Sequence, residues 1–291
     1  MDELKSARLL ASLEKARATG DAADLIELLT RSSGLPGPRP NLDLARAVGR
    51  ALAEGEGRTA DRLVAQLGRA EQEYIRVVAA FALVARSLPK GEASGRGGRR
   101  PAPRAPEALA ALQDLAEDPH HLVRLGVVEA LRMRVLALGE GAVDELAAWT
   151  DGYLQAHVAL EALADRALLD RIPSGEGVLA RLEEAFVLAD ASPRSAERTQ
   201  GMRALRQGMS AQIPVFAARF PETLAWLSQK AASTRPETRE VVAGAIRALR
   251  RSVISDVEAG RLSALLEASA KPPRDPTRVV QGTRKRGRGR R

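Results

Sequence analysis

Apolar residues recur at intervals of three and four along nearly the whole chain, the period of an amphipathic helix. The pattern predicts helices over residues 2–18 and 21–30, parted by Gly20 with Asp21 as N-cap, and over 42–53 with Asn41 as N-cap. Further helices are predicted over 59–67 and 71–88. A regular series follows over 107–116, 120–138, 143–150, 153–171, 176–189, 194–209, 221–232, 236–253 and 256–269. Pro214 falls within 211–220, so a short or broken helix is expected there. No stretch alternates with period two for long enough to read as a strand, and the fold class is all-α.

Two segments interrupt this order. Residues 89–106 (PKGEASGRGGRRPAPRAP) are rich in Gly, Pro and Arg and read as an irregular insertion that cannot join a core. Residues 271–291 combine three prolines with Arg-Gly alternation and read as a disordered tail. The chain therefore divides into a helical domain, 1–270, and a basic tail, 271–291.

Within the helical domain a unit repeats. Its clearest copy runs from Asp118-Pro119 through Val123-Arg124 to Ala130-Leu131. Asp and Pro suit a helix start, Val123, Val127, Ala130 and Leu131 form an apolar stripe, and Arg124 can return to carboxylates or carbonyls at the turns. Ser192-Pro193 through Arg198 to Ala204-Leu205 aligns without a gap. Tyr74-Ile75-Arg76 to Ala82-Leu83 aligns too, with Ala70 where Asp is expected. Arg239 to Ala245-Ile246 is a fourth copy, and Leu154 to Leu163 a fifth in which Ala156 replaces the Arg. The anchors 76, 124, 156, 198 and 239 lie 48, 32, 42 and 41 residues apart. The unit resembles the second helix of a HEAT repeat, whose period is about 40 residues. The resemblance covers 40–270, with the first two helices as a cap. It implies a HEAT-like α-α superhelix of antiparallel helix pairs whose second helices line a concave surface. Such surfaces commonly bind proteins and occasionally nucleic acid, so the resemblance implies a binding scaffold and names no partner.

Charge changes the picture. Lys and Arg number 45 and Asp and Glu 37, a net +8. Residues 271–291 hold nine basic residues and one acidic, so this segment alone carries the whole excess. The insertion 89–106 adds five basic residues against one acidic, which leaves the helices slightly acidic. A basic domain is thus excluded as the origin of the high isoelectric point. The stretch Arg284-Lys285-Arg286-Gly287-Arg288-Gly289-Arg290-Arg291 suits counterion-release binding to DNA, RNA or an acidic protein surface. It lacks the aromatics that would stack on unpaired bases.

Candidate chemistry is sparse. With no Cys there is no disulfide or thiolate metal site, and no metal or cofactor is expected. The polar N-terminus and the lack of a long apolar run point to a cytoplasmic protein with no membrane insertion. His120 and His121 read as exposed turn residues, and His157 as an inter-repeat hydrogen-bonding group. Glu183-Glu184, and Asp114 with Glu117 and Asp118, read as solvated faces. No P-loop, dinucleotide fingerprint or Gly-x-Ser-x-Gly is present.

Trp149, Asp151, Trp226 and Arg239 resemble the Trp, Asp and Arg set with which helical-repeat DNA glycosylases hold damaged DNA. The spacing of Trp149 and Asp151 does not give a one-face pair, and both Trp read more simply as core. Helical-repeat chromophore lyases share the repeat, but no chromophore motif is present. The expected function is a non-enzymatic scaffold that binds another protein on its concave face, with polyanion attachment through the tail. The alternative is nucleic-acid binding, extending to DNA repair. Arg203, Arg206, Arg247, Arg250 and Arg251 are the expected concave-face contacts. Asp118, Arg76, Arg124, Arg198 and Arg239 are the expected structural residues of the repeat.

Overall fold

The computed structural model describes residues 7–89, 105–233, 235–251 and 253–270. The tail, with Arg284, Lys285, Arg286, Arg288, Arg290 and Arg291, lies outside the described residues, as do most of the insertion and the first residues of the first predicted helix. Among the described residues there are fifteen α-helices and no strand. In chain order they are α1 (Ala7–Thr19), α2 (Ala23–Ser32), α3 (Leu42–Ala53), α4 (Gly57–Gly68) and α5 (Glu73–Ser87). Then come α6 (Ala105–Ala116), α7 (His121–Leu138), α8 (Glu140–Glu145), α9 (Tyr153–Leu163) and α10 (Arg166–Leu169). The last five are α11 (Glu176–Ala191), α12 (Gln200–Arg219), α13 (Glu222–Lys230), α14 (Pro236–Leu249) and α15 (Asp256–Ala268). None is long and apolar enough to cross a membrane.

Packing follows a simple order. Helices α3, α5, α7, α9, α12 and α14 each touch the next in that sequence. The others flank them: α4 lies on α5, α6 on α5 and α7, and α8 on α7. Likewise α11 lies on α9 and α12, α13 on α12, and α15 on α14. Helices α1 and α2 pack on each other and reach α3, α4 and α5. Helix α5 is surrounded, and Tyr74 to Ala82 are buried without interruption. The close approach of α3 and of α7 to it depends on glycine. A Cβ at Gly49 of α3 would lie 2.5 Å from the Phe81 Cβ, and one at Gly126 of α7 would lie 2.8 Å from a Val77 methyl.

Arginines tie the turns. Arg76 donates to the carbonyls of Ala70 and Glu71 at 2.5 and 2.9 Å, and its Nε pairs with the Asp118 carboxylate at 2.8 Å. Arg124 repeats the gesture one unit on, donating to the carbonyls of Asp118 and Pro119 at 2.6 and 2.9 Å. Arg239 reaches the Ser233 carbonyl at 3.3 Å. Each Arg thereby satisfies carbonyls five or six residues back that the turn leaves without helix partners. Arg198 makes no such contact: it sits exposed at the end of a 3-10 turn, Arg194–Arg198. Asp118 also departs from its expected role. Its carboxylate accepts the His120 N–H at 2.8 Å and so closes the turn before α7, while the helix itself starts without a side-chain cap.

Several boundaries differ from the periodicity, each through a short-range competitor. The predicted helix over 153–171 stops at Leu163, because the Asp165 carboxylate accepts the Leu168 N–H at 2.9 Å and opens α10. Arg132 of α7 takes up the freed carbonyls of Glu161 and Ala162. The predicted helix over 194–209 is replaced by the 3-10 turn and by α12, which Thr199 caps at Met202. Pro214 does not break α12. It is buried beside Ile213, Phe216 and Ala217, and that packing offsets an internal-proline cost of about 3 kcal/mol. The predicted helix over 143–150 begins at Glu140 and tightens to a 3-10 turn at Leu146–Trp149. Helix α14 ends at Leu249, so Arg250 and Arg251 lie past its last turn. Asn41 caps α3 as expected, accepting Leu44 N–H at 3.1 Å. Asp21 stands one residue outside the cap of α2 and accepts Ala23 N–H at 3.1 Å.

Candidate binding face

Helices α3 and α7 both pack on α5, and their side chains meet. Arg46 of α3 pairs with Glu129 of α7 at 3.6 Å and also with Asp43 at 3.2 Å, and its guanidinium lies 5.6 Å from the centre of the Phe81 ring. One turn on, the Arg50 Nη2 stands 3.6 Å from the Met133 Sδ. Arg132 pairs with Glu129 at 2.6 Å and donates to the Glu161 carbonyl at 2.9 Å. These side chains border a cleft of about 520 Å³, with Ala85, Leu88, Met133, Leu136 and Leu168 as its apolar part and Asp165 at its edge. Leu136 is 44% exposed, unusual for a leucine on so buried a helix.

Beyond the cleft, where α9 meets α12, the polar groups crowd. Gln212 is buried and donates to Glu161 at 2.8 Å, while its Oε1 and the neighbouring His157 Nδ1 are buried without partners among the described residues. The His157 ring packs against Gly208, where a Cβ would lie 2.4 Å from Nδ1. Burial disfavours the imidazolium and holds His157 below the ordinary histidine value. Glu161 opposes the shift, while Arg124 and His121 reinforce it.

The five arginines expected on this face do not act together. Arg203, Arg247 and Arg251 are exposed. Arg206 is half-buried and paired with Glu197, and Arg250 pairs with Asp256 at 2.6 Å. The Trp, Asp and Arg set does not converge either. Trp149 is buried, Asp151 is exposed, and Trp226 packs edge-on against Phe186 while donating to Glu183 at 2.6 Å. Glu183 also holds Lys230 at 2.5 Å, and Glu184 holds Arg181 through two nitrogens at 2.5 and 2.7 Å. Those paired carboxylates are therefore structural. Asp114 and Asp118 border a second cleft, of about 430 Å³, between α4, α5 and α6, while Glu117 is exposed nearby. His121 is exposed, as is His120, whose Nδ1 lies 2.9 Å from Asp118. Burial works to raise the Asp118 carboxyl, but the His120 N–H, the His120 ring and Arg76 hold it below the ordinary carboxylate value.

Periodicity did not single out Arg46, Arg50, Met133 or Leu136. Their only signal is an i, i+4 Arg pair on α3 and an apolar residue left over on α7, and residues 50 and 133 are 83 apart in the chain. No protein-family description, curated protein or solved structure matches the chain.

Proposed function

We propose that the chain is a non-enzymatic, HEAT-like helical-repeat scaffold that binds another protein on the face shared by α3, α7, α9, α12 and α14. In this reading α3, α5, α7, α9, α12 and α14 are the second helices of successive pairs, and that face is concave. The order of helix contacts supports this, as does the recurrence of the turn arginine at Arg76, Arg124 and Arg239. The α3–α7 pairs show that side chains of these two helices meet on that face.

The observation that carries the proposal is the half-apolar cleft at α3 and α7, with an exposed leucine and a methionine beside three arginines. Such a surface suits protein recognition: apolar anchors with a polar rim. The tail, with its six basic residues in the last eight, adds salt-sensitive attachment to a polyanion. The chain works in the cytoplasm. A second reading places nucleic acid on the same face, and the exposed Arg203, Arg247 and Arg251 favour it. Arg206 and Arg250, already paired with carboxylates, count against it.

Two measurements separate the readings. Affinity purification with the intact chain and with Leu136→Asp should recover a protein partner that the variant loses. Duplex DNA should bind the intact chain weakly and with a steep salt slope, and a chain ending at Ser269 should lose that binding. Duplex affinity and slope unchanged by truncation would rule out the tail's role, and would move the second reading ahead.

A further inference from the structure

Three arginines border the cleft, but they are not equivalent. Arg46 is engaged by Asp43, by Glu129 and by the Phe81 ring. Arg132 is engaged by Glu129 and by the carbonyls of Glu161 and Ala162 that end α9. Both are held by carboxylates of the fold, and Arg132 by two carbonyls as well. Arg50 differs. It is exposed, and its nearest acceptor among the described residues is a thioether at 3.6 Å, a weak partner for a guanidinium. Among the described residues no carboxylate is paired with this planar fork of five donors, which borders the cleft.

The neighbouring surface is aliphatic. Met133 offers a flexible, polarisable side chain that can repack around a ligand, and Leu136 remains 44% exposed beside it. The remaining charges narrow the ligand further. Glu129 and Asp165 stand at the same cleft, so a phosphate backbone with a charge on every residue would meet two carboxylates. A strongly basic segment would meet Arg50.

We infer that this cleft receives a peptide segment of a partner protein in which an aliphatic side chain lies within a turn of a single carboxylate. The aliphatic group covers Leu136 and Met133, and the carboxylate pairs with Arg50. This rests on the protein-binding reading above and specifies its ligand. Specificity comes from Arg50, which pairs with no carboxylate among the described residues, and affinity from apolar burial at about 25 cal/mol per Å².

The test is selection from a random-peptide display library against the full-length chain. Fluorescence anisotropy of the enriched peptides follows, with wild type, Arg50→Glu, Leu136→Asp and, as control, Arg58→Glu on the exposed side of α4. Arg50 and Leu136 are exposed, so the variants should fold, and circular dichroism and melting confirm it. The expected peptides share an aliphatic residue next to Asp or Glu. Arg50→Glu and Leu136→Asp should each weaken binding about tenfold, Arg58→Glu should not, and a Glu-to-Lys change in the peptide should restore binding to Arg50→Glu. Enriched peptides that bind Arg50→Glu undiminished, through the basic tail or elsewhere, would overturn the assignment of the cleft and leave the scaffold reading standing. Basic or purely aromatic consensus peptides would overturn the ligand chemistry. No enrichment would overturn the inference and the scaffold reading together.

Discussion

Replacing Gly49 by Ala adds one methyl group at the tightest helix contact in the molecule's first half. The new carbon would lie 2.5 Å from the Phe81 Cβ, 2.9 Å from the Ala82 nitrogen and 3.0 Å from the Phe81 carbonyl carbon. Comfortable carbon contacts are about 3.5–4.0 Å, so α3 and α5 must separate by up to ~1 Å. The opposing atoms belong to or adjoin the backbone of α5, which is held on every side and cannot swing away. Overpacking of this kind costs about 1–3 kcal/mol. Ala gains about 1 kcal/mol over Gly in helix propensity, so the net expectation is a loss of up to about 2 kcal/mol. Gly260 of α15 provides the control, because a Cβ there meets nothing within 4 Å. Gly260→Ala should raise stability by about 0.5–1 kcal/mol. Urea unfolding of both variants measures the two midpoints against wild type, with an unchanged slope showing that only stability moved. If Gly49→Ala unfolds at or above the wild-type midpoint, the α3–α5 contact does not limit the fold, and the packing order derived for the row is wrong at its first step.

Arg134 should be costly to lose. It is 3% exposed and holds both Glu145 oxygens at 2.7 and 2.9 Å and Ser87 at 2.6 and 2.9 Å. Arg134→Met should therefore destabilise by about 2–4 kcal/mol in denaturant unfolding, whereas Arg203→Met on an exposed face should change little. His157 predicts a pH dependence. Its pKa is depressed in the fold relative to the ordinary 6.5, so its contribution is full above that value. The contribution is lost as the unfolded chain takes up the proton and the pH falls through the lower folded value. Melting temperatures from pH 8 to 5 should fall less in His157→Gln than in wild type, and parallel curves would show that the ring does not titrate with folding. Asp118→Asn should cost about 1–2 kcal/mol at neutral pH. Because the Asp118 pKa is lowered in the fold, this difference should be present above the ordinary 3.8 and vanish as the pH drops through the folded value.

The sequence was most informative where the governing forces are short-range. Helix content follows from apolar spacing, and Asn41 capped the helix it was expected to cap because the bond spans only three residues. The repeated arginine was legible for the same reason: Arg76 and Arg124 each reach carbonyls five and six residues back. The pattern failed at Arg198, where a Ser-Pro pair looked like Asp-Pro but a 3-10 turn intervened and α12 started from Thr199. It failed again at Pro214, where burial on several sides outweighed a local preference.

The cleft itself was not legible. Nothing in the periodicity of α3 or α7 says that Arg46 meets Glu129 or that Arg50 ends beside Met133, because those pairings depend on how three helices pack. The same holds for which arginine remains available. Composition supplied 45 basic residues and located the net excess in the last 21. Only the packed structure distinguishes Arg132 and Arg206, held by carboxylates and carbonyls, from Arg50, which faces solvent. The sequence alone thus determined an all-helical chain with its net charge outside the core. Tertiary structure decided the neighbours of each helix and the cleft between α3 and α7. The physical reason is range: capping and amphipathicity act within one or two turns, while a cleft is made by residues scores of positions apart.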